Sequence, residues 1–392
     1  MLSSTVTTLT VLLIIVFLFS EGLSVFKESP LEGDNIIVLN HHNTVSHITS
    51  SDIKDIFDQN ITNWKSLGGS NDSIILFTFN DIGNYFSEEE LGPEFEFLPA
   101  KMDSLLESEN GMIAVFSSKY LIKNHKSKVI QADNITPYSF LTGKEWFPTA
   151  NPAVQLGVLP LILGTLYVSF VAIIFALPVG LATAIYMAEV ADEKTRRVFK
   201  PVIELLAGIP SVVYGFFGLI VIVPLIQSTF HLPVGETGLA GSIILGIMAL
   251  PTIITVSEDA LRNTPRSMKE ASLALGATRW QTIVRIVIPY SYSGISAAAI
   301  LGIGRAIGET MAVLMVTGNA AVIPHTLLEP VRTIPATIAA AASAAKNAEL
   351  GEAPANGIHY KALFALGCIL FLITLTINLW VEFSSKKRRF GK

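Results

Sequence analysis

The sequence predicts an all-α polytopic membrane protein with six transmembrane helices and a small α/β external domain inserted after the first helix. Three observations support this fold class. The 392 residues are 51% hydrophobic and only 15% charged, whereas typical soluble domains carry roughly 25% charged residues. Six apolar segments reach the about 20 residues that a spanning helix needs. Residues 27–146 form a separate acidic block, with 9 Lys/Arg against 18 Asp/Glu.

The six apolar segments are candidates for membrane-spanning helices, at residues 4–25, 157–188, 201–228, 238–257, 289–318 and 362–383. The first segment can also be interpreted as a secretory signal peptide. No Lys or Arg precedes Lys27, however, and no clear small-residue cleavage site follows the segment. We therefore expect a retained helix over residues 1–26. Pro178 and Pro210 interrupt the helical hydrogen bonding of the second and third segments.

The distribution of Lys and Arg between the segments predicts the orientation. Residues 190–200 carry four basic residues, and residues 258–288 and 384–392 carry five each, whereas residues 229–237 have none. Basic loops face the cytoplasm. Six crossings of the plasma membrane then place both termini in the cytoplasm and residues 27–150 outside the cell.

The segment between the first two spans has the pattern of a folded domain. Residues 35–40, 73–79 and 111–116 are short β-branched and apolar runs typical of strands. Residues 50–57 predict a helix capped by Ser50, because Ile53, Ile56 and Phe57 share one face. We expect a small α/β domain over residues 27–139, followed by a helical core over residues 140–392.

The loop at residues 258–289 predicts a short helix parallel to the membrane. Thr264-Pro265 can open a helix, since proline at the first turn loses no hydrogen bond. Gly276 permits the tight turn that ends it, and a second helix starts near Thr278. Such a helix either fits a groove on a cytoplasmic partner or serves as an interfacial connector.

Two charged residues, Arg305 and Glu309, fall within the fifth apolar segment. An ionisable side chain inside a span is costly and marks a functional site by default. Their i, i+4 spacing places both on one helix face, so we expect them to pair. Either the pair is a structural, self-neutralised one, or Arg305 contacts an oxyanion through its planar fork.

Several motifs resemble those of a known family. The loop at residues 258–289 is similar to the EAA loop of ABC-importer permeases. The similarity lies in Glu270-Ala271-Ser272, in Gly276 and in the run from Ile286 to Pro289. The runs from Leu205 to Phe217 and from Gly304 to Thr310 resemble phosphate-specific permeases, and the continuation resembles the C-type subunit of their permease pair.

This resemblance implies a type I ABC importer permease fold and a transport subunit for inorganic phosphate. Arg305, Glu309 and Thr310 would then lie on the translocation path, and Glu270, Ala271, Ser272 and Gly276 would dock the ATPase. The implied partners are a second permease subunit, two copies of an ATP-binding subunit, an external phosphate-binding protein and membrane lipid. The first external loop of this family is normally short, so the insert of about 113 residues is a departure.

The insert itself resembles part of a phosphate-binding receptor. Residues 51–69, with Ile61-Thr62-Asn63-Trp64, and residues 110–115 carry the resemblance. Where such receptors have a Ser-Gly-Thr turn that holds phosphate at a helix N-terminus, this chain has Asn80 to Asn84, with an acid at Asp81. We therefore expect a docking or gating role for the insert rather than phosphate binding; a relic without a role is the alternative.

The remaining sequence features exclude several functions. The chain has no G-x-x-x-x-G-K-[ST] phosphate loop, so it is not expected to be an enzyme, and the partner subunit would bind ATP and Mg²⁺. The single cysteine, Cys368, excludes an internal disulfide, and we expect no cofactor, metal or nucleic acid in this chain. A permease for molybdate, tungstate or sulfate and a membrane sensor remain alternatives. Glycosylation at Asn60, Asn71 or Asn134, and the role of residues 333–345, stay open.

Overall fold

The computed structural model describes residues 2–31, 33–92, 95–123, 125–348 and 357–389. They form two compact units. The described residues up to 158 and residues 357–365 belong to the first, and residues 159–348 and 366–389 belong to the second. The sequence interpretation ended the inserted domain at residue 139. The first unit extends to Val158, because the Val154 amide donates to the Pro30 carbonyl at 2.9 Å and the Ser50 hydroxyl donates to the Val154 carbonyl at 2.6 Å.

The first unit contains the N-terminal helix α1 (Leu2–Ser24) and a four-stranded sheet connected by short helices. In chain order the further elements are β1 (Asn35–Leu39), α2 (Ser50–Phe57), β2 (Ile75–Thr78), α3 (Ile82–Tyr85), α4 (Glu88–Leu91), α5 (Leu98–Ser108), β3 (Met112–Ser117), β4 (Lys128–Ile130), α6 (Pro137–Thr142), β5 (Trp146–Phe147) and β6 (Gln155–Leu156). The strands predicted from sequence correspond to β1, β2 and β3, whereas β4 and α5 were not predicted.

The four-stranded sheet has the order β2-β3-β1-β4. β2 pairs with β3 in parallel, and β1 pairs with both β3 and β4 in antiparallel register. Successive side chains of a strand point to opposite faces, so Ile37 and Leu39 pack into one apolar core with α2, whereas Val38 packs into another with α5. Both faces of the sheet are therefore covered, as in an α/β fold.

The helix α2 begins as predicted, but its cap differs. Thr49, not Ser50, is the N-cap residue, because its hydroxyl accepts from the Asp52 amide and the Asp52 carboxylate accepts from the Thr49 amide in return. This reciprocal arrangement satisfies two free backbone donors. The Ser50 hydroxyl is engaged with Val154, in the segment 140–158 that the sequence interpretation assigned elsewhere.

The second unit is helical. Its elements are α7 (Leu159–Ile185), α8 (Glu193–Ala207), α9 (Ser211–Phe217), α10 (Val223–Phe230), α11 (Gly238–Arg262), α12 (Arg266–Ala274), α13 (Arg279–Thr282), α14 (Ile288–Tyr290), α15 (Tyr292–Gly308), α16 (Met311–Val316) and α17 (Ile334–Ala348). π-helical turns at Tyr186–Val190, Gly218–Ile222 and Ile283–Val287 extend or join these helices. The last helix, α18 (Ile358–Arg389), contributes residues to both units.

Within the described residues, five helices are long and apolar enough to cross a membrane, and a bent pair would be a sixth. The predicted span at 201–228 is wrong at its start. The helix α8 ends at Ala207, and the apolar span runs from Ser211 to Phe230. Gly208 and Pro210 separate the two helices. Proline lacks the backbone N–H that would continue the helical hydrogen bonds, and it disfavours the helical backbone conformation of the residue before it. Pro178, by contrast, lies inside the continuous helix α7.

The predicted span at 289–318 is not one helix. The segments Arg279–Tyr290 and Tyr292–Gly308 meet at an angle of 70°. The helix α15 then ends at Gly308, and α16 follows as a separate short helix. Residues 333–345, whose role the sequence left open, lie mostly in α17.

The helices α7, α11 and α15 pack against one another around small residues. A Cβ added at Gly180 would lie 2.7 Å from Ile253 Cγ2, and one at Gly302 would lie 2.8 Å from Ile253 Cγ1. These glycines bring α7 and α15 close to the same point on α11. The close approach fixes the position of the last turn of α15.

Candidate functional site

Arg305 lies in the last turn of α15, beside α11. Its Nη1 donates to the Thr252 hydroxyl at 3.4 Å, and its side chain is half-buried. The Arg305 guanidinium therefore connects the end of α15 to α11.

The predicted pairing of Arg305 with Glu309 is wrong in this structure. Glu309 follows the last residue of α15 and has extended backbone (φ −73°, ψ 132°). An i, i+4 pair requires that the helix continue through both residues, and here it stops one residue too early. The Glu309 carboxylate instead accepts from the Ala312 amide at 3.3 Å, at the start of α16. In the described part of the chain, no ion pair joins either side chain to a partner.

The break between α15 and α16 gathers polar groups inside an otherwise apolar region. Thr310 has φ −110° and ψ −63°, and its carbonyl accepts from the Leu314 amide at 3.0 Å. Glu309 and Thr310 are both half-buried. The nearby Gly304 and Gly308 have open space where a Cβ would stand. A carboxylate, a hydroxyl and a guanidinium are therefore present within six consecutive residues, with room beside them.

Sequence reasoning missed Thr252. Thr252 follows Pro251 within the apolar run of α11, and a polar residue after a proline in a span was the available signal. The proximity of Thr252 to Arg305 depends on how α11 and α15 pack, which local patterns do not show.

The helix α12 carries the second group of predicted site residues. Glu270 and Ala271 are exposed, whereas Ser272 is half-buried and its hydroxyl lies 3.0 Å from the Thr282 hydroxyl of α13. Gly276 has φ +85°, a left-handed conformation that L side chains rarely adopt. The prediction that Gly276 makes the turn after this helix is confirmed.

The turn is closed on its far side by a second capping box. The Thr278 hydroxyl accepts from the Gln281 amide at 3.2 Å, and the Gln281 side chain accepts from the Thr278 amide at 2.9 Å. The two short helices are thus held in a defined arrangement.

An apolar surface is exposed on this pair of helices. It consists of Met268, Leu273, Leu275 and Trp280, of which Leu275 is 89% exposed. No residue of α12 is buried. Exposed large apolar side chains mark candidate interaction sites, and these four are accessible to a partner of the helix pair.

Asp81, which the sequence resemblance aligned with the phosphate turn of a receptor, is hydrogen-bonded within its own segment. Asp81 Oδ2 accepts from the Thr78 amide at 2.8 Å and from the Thr78 hydroxyl at 2.7 Å. A cavity of about 410 Å³ lies beside it, lined in part by Thr78, Ser117, Lys119 and Tyr120. A carboxylate at this point repels an anion, so the arrangement disfavours phosphate.

Comparisons with known proteins give one family. Residues 176–390 match the family of binding-protein-dependent transport system inner membrane components. The probable ABC transporter permease protein YqgH of Bacillus subtilis (strain 168) is 38% identical over 257 residues, which are 66% of this chain and 80% of that protein. The phosphate transport system permease protein PstC of Mesorhizobium japonicum is 38% identical over 266 residues, 63% of this chain and 78% of that protein.

Several solved structures also match. They include the MetNI methionine ABC transporter in an inward-facing conformation, 18% identical, with a TM-score of 0.44 over 58% of this chain and 94% of that chain. They also include an ABC-type phosphate transport receptor from Vibrio cholerae, 22% identical, with a TM-score of 0.21 over 29% of this chain and 51% of that chain.

Proposed function

This chain belongs to the family of binding-protein-dependent transport system inner membrane components, and from that premise we propose that it is the permease subunit of an ATP-driven importer of inorganic phosphate. It is a multi-pass membrane protein of the ABC importer permease class. The relatives named for phosphate transport, at 38% identity over most of their length, support phosphate as the substrate.

One observation carries the assignment of the site. Arg305 is half-buried where α15 packs against α11, and among the described residues no acidic side chain is paired with it. A permanently charged guanidinium in an apolar span requires a counter-charge or polar lining. Inorganic phosphate supplies that charge when it passes, and its oxygens match the planar fork of arginine.

The neighbouring polar groups adjust this contact. The Thr252 hydroxyl orients the guanidinium and accepts one of its hydrogen bonds when the site is empty. The Glu309 carboxylate, which follows Arg305 closely in the chain, repels phosphate and keeps binding weak enough for release. Thr310 adds a hydroxyl that can donate to a phosphate oxygen. Alternating exposure of this site to the two sides moves phosphate into the cell.

The orientation follows from the basic loops. Lys and Arg concentrate in residues 190–200, 258–288 and 384–392, which supports a cytoplasmic position for α12 and for both termini. Residues 27–150 then lie outside the cell. The plasma membrane surrounds the spans.

ATP hydrolysis is supplied by a partner, since the sequence has no nucleotide-binding phosphate loop. Two copies of an ATP-binding subunit, which holds ATP and Mg²⁺, dock on the importer. The helix α12 presents Glu270 and Ala271 to that subunit, Ser272 holds α12 to α13, and the Gly276 turn orients the exposed apolar side chains beside it. A second permease subunit and an external phosphate-binding protein complete the assembly.

The α/β insert of residues 27–139 docks the external receptor or gates access rather than binding phosphate itself. The Asp81 carboxylate, bonded to Thr78, takes the place of an anion. The excess of 18 acidic over 9 basic residues in the segment 27–146 adds to the repulsion.

Uptake of radiolabelled phosphate into vesicles tests the proposed function. The vesicles contain this chain with its ATPase and second permease, and parallel samples add molybdate or sulfate as competitors. We expect ATP-dependent uptake of phosphate that excess phosphate suppresses and the other two oxyanions do not. Uptake that molybdate or sulfate suppresses equally would contradict phosphate as the specific substrate.

A further inference from the structure

An ion pair fastens the docking helix to the end of a membrane span. Lys269 of α12 places its Nζ 2.5 Å from Glu189 Oε1. The two side chains are 22% and 12% exposed, so both charges are largely shielded from water. Lys269 and Ser272 are the half-buried side chains of an otherwise exposed helix. The pair therefore attaches α12 directly to the end of the α7 span.

Glu189 stands in the π-helical turn Tyr186–Val190, with which the span of α7 ends. The same turn is held from another side by Arg196 of α8. Its Nε and Nη2 donate to the Met187 carbonyl at 3.0 and 2.8 Å. The turn is thus fixed between α12 and α8, through one side chain and one backbone carbonyl.

The connection continues from α8 to α11. Lys200 Nζ lies 3.7 Å from Glu258 Oε2, and Arg262 Nη1 lies 3.5 Å from Glu258 Oε1. The Glu258 side chain is 2% exposed. Since α7 and α11 both pack against α15, which carries Arg305, the charged groups link the cytoplasmic loop to the helices around the candidate site.

We propose that the Lys269–Glu189 pair is the positioning link that carries movement of the docking helix into the α7 span. The inference rests on the proposed function, because it assumes that an ATPase moves α12. A short, shielded ion pair holds one geometry, and a displaced Lys269 draws Glu189 and the end of α7 with it. The pair Arg197–Glu193 on α8, at 3.5 Å and with exposures of 82% and 83%, lacks this shielding and serves as the matched control.

The test uses the assembled transporter in vesicles, with phosphate uptake and ATP hydrolysis measured together. We expect Lys269→Gln and Glu189→Gln each to lower phosphate moved per ATP hydrolysed about tenfold, a size typical of coupling between sites. The exchanged pair Lys269→Glu with Glu189→Lys should recover at least about half of the wild-type ratio, since it restores the attraction. Glu193→Gln should leave the ratio unchanged.

A second readout needs no transported substrate. Trapping the ATPase with ATP and vanadate should alter amide hydrogen exchange at residues 186–191 in the wild-type complex and in the exchanged pair. In either single variant, the same treatment should leave hydrogen exchange at these residues unchanged. The link is overturned if both single variants keep the wild-type ratio of phosphate moved per ATP hydrolysed, or if the exchanged pair does not recover that ratio. It is also overturned if the purified single variants lose the ATPase subunit. If wild-type vesicles take up no phosphate, the proposed function fails, and hydrogen exchange still decides the link.

Discussion

At the scale of single residues, the main constraint on the site is the free-energy cost of placing the Arg305 charge in a membrane span. A cation at the centre of a span costs about 2.5–3.5 kcal/mol on insertion scales, and arginine cannot shed its proton to avoid that cost. Among the described residues, the Thr252 hydroxyl accepts a hydrogen bond from Arg305 at the long distance of 3.4 Å. Such a contact orients the guanidinium and leaves most of its donors available for another acceptor.

We predict that Arg305→Gln abolishes phosphate uptake, because the positive charge that phosphate meets inside the membrane is removed. Arg305→Lys should retain part of the rate, since it keeps the charge and loses the fork. Initial uptake rates in vesicles, at matched levels of the assembled complex, measure both. Uptake by Arg305→Gln at the wild-type rate would show that Arg305 is not on the path.

Thr252→Val tests the orienting hydroxyl with almost no change in volume. We expect uptake to fall about fivefold, which corresponds to the loss of one hydrogen bond of about 1 kcal/mol. Thr183→Val on α7 is the control, because the Thr183 hydroxyl is in an exposed position and donates to the Val179 carbonyl of its own helix. Equal effects of the two substitutions would refute a specific role for Thr252.

At the scale of elements, the loop between α11 and α14 owes its geometry to one backbone conformation. Gly276 has φ +85°, and the space that a Cβ would enter is open to 4 Å, so neighbouring atoms do not limit a side chain there. The constraint is conformational: left-handed backbone costs an L residue about 1–2 kcal/mol. Asparagine tolerates this region better than other residues do, and β-branched residues tolerate it worst.

Gly276→Val is therefore predicted to distort the turn after α12 and to separate ATP hydrolysis from phosphate uptake, with the chain still inserted in the membrane. Gly276→Asn, the matched variant, should keep most of the coupling. The ratio of phosphate taken up to ATP hydrolysed, measured in the assembled complex, distinguishes the two. Wild-type coupling in Gly276→Val would remove α12 from the docking assignment.

At the scale of the whole molecule, residues 140–158 determine where the inserted domain ends. Trp146 and Phe140 are buried in the first unit, with ring centroids 6.2 Å apart. The Gln155 side chain donates to the Ser50 carbonyl at 2.8 Å, and Leu31 forms a bridge with Ala153. The α/β fold therefore includes residues on both sides of its predicted boundary.

We predict that a fragment of residues 28–158 unfolds cooperatively and that one of residues 28–138 is less stable by about 3 kcal/mol or more. The shorter fragment loses Phe140 and Trp146, and removal of one large buried aromatic side chain costs about 3–5 kcal/mol. Denaturant titrations followed by circular dichroism measure the difference. Equal midpoints and slopes for the two fragments would show that residues 139–158 contribute nothing.

The same fragment of residues 28–158 tests the function of the insert. Titration calorimetry should detect no phosphate binding at micromolar concentrations, because Asp81 occupies the anion position. Asp81→Asn removes the charge and keeps an acceptor for the Thr78 amide, so it should bind phosphate at least as well as the wild-type fragment. Micromolar affinity in the unaltered fragment would contradict the docking role.

The sequence by itself determined the features that depend on local pattern. Composition and the length of the apolar segments identified a membrane protein with about six spans, and short runs of β-branched and apolar residues predicted β1, β2 and β3. A single glycine at position 276, free of the steric limits of a Cβ, was enough to predict the turn there. Each of these follows from neighbours within a few positions, where helix and strand periodicity apply.

Only the tertiary structure decided which distant groups meet. The end of α15 at Gly308 separates Glu309 from Arg305, and the packing on Ile253 brings Thr252 there instead. Lys269 reaches Glu189 across 80 positions of the chain. Periodicity cannot reveal such pairs, because packing between helices, with the breaks that glycine and proline introduce, selects among many arrangements compatible with the same local pattern.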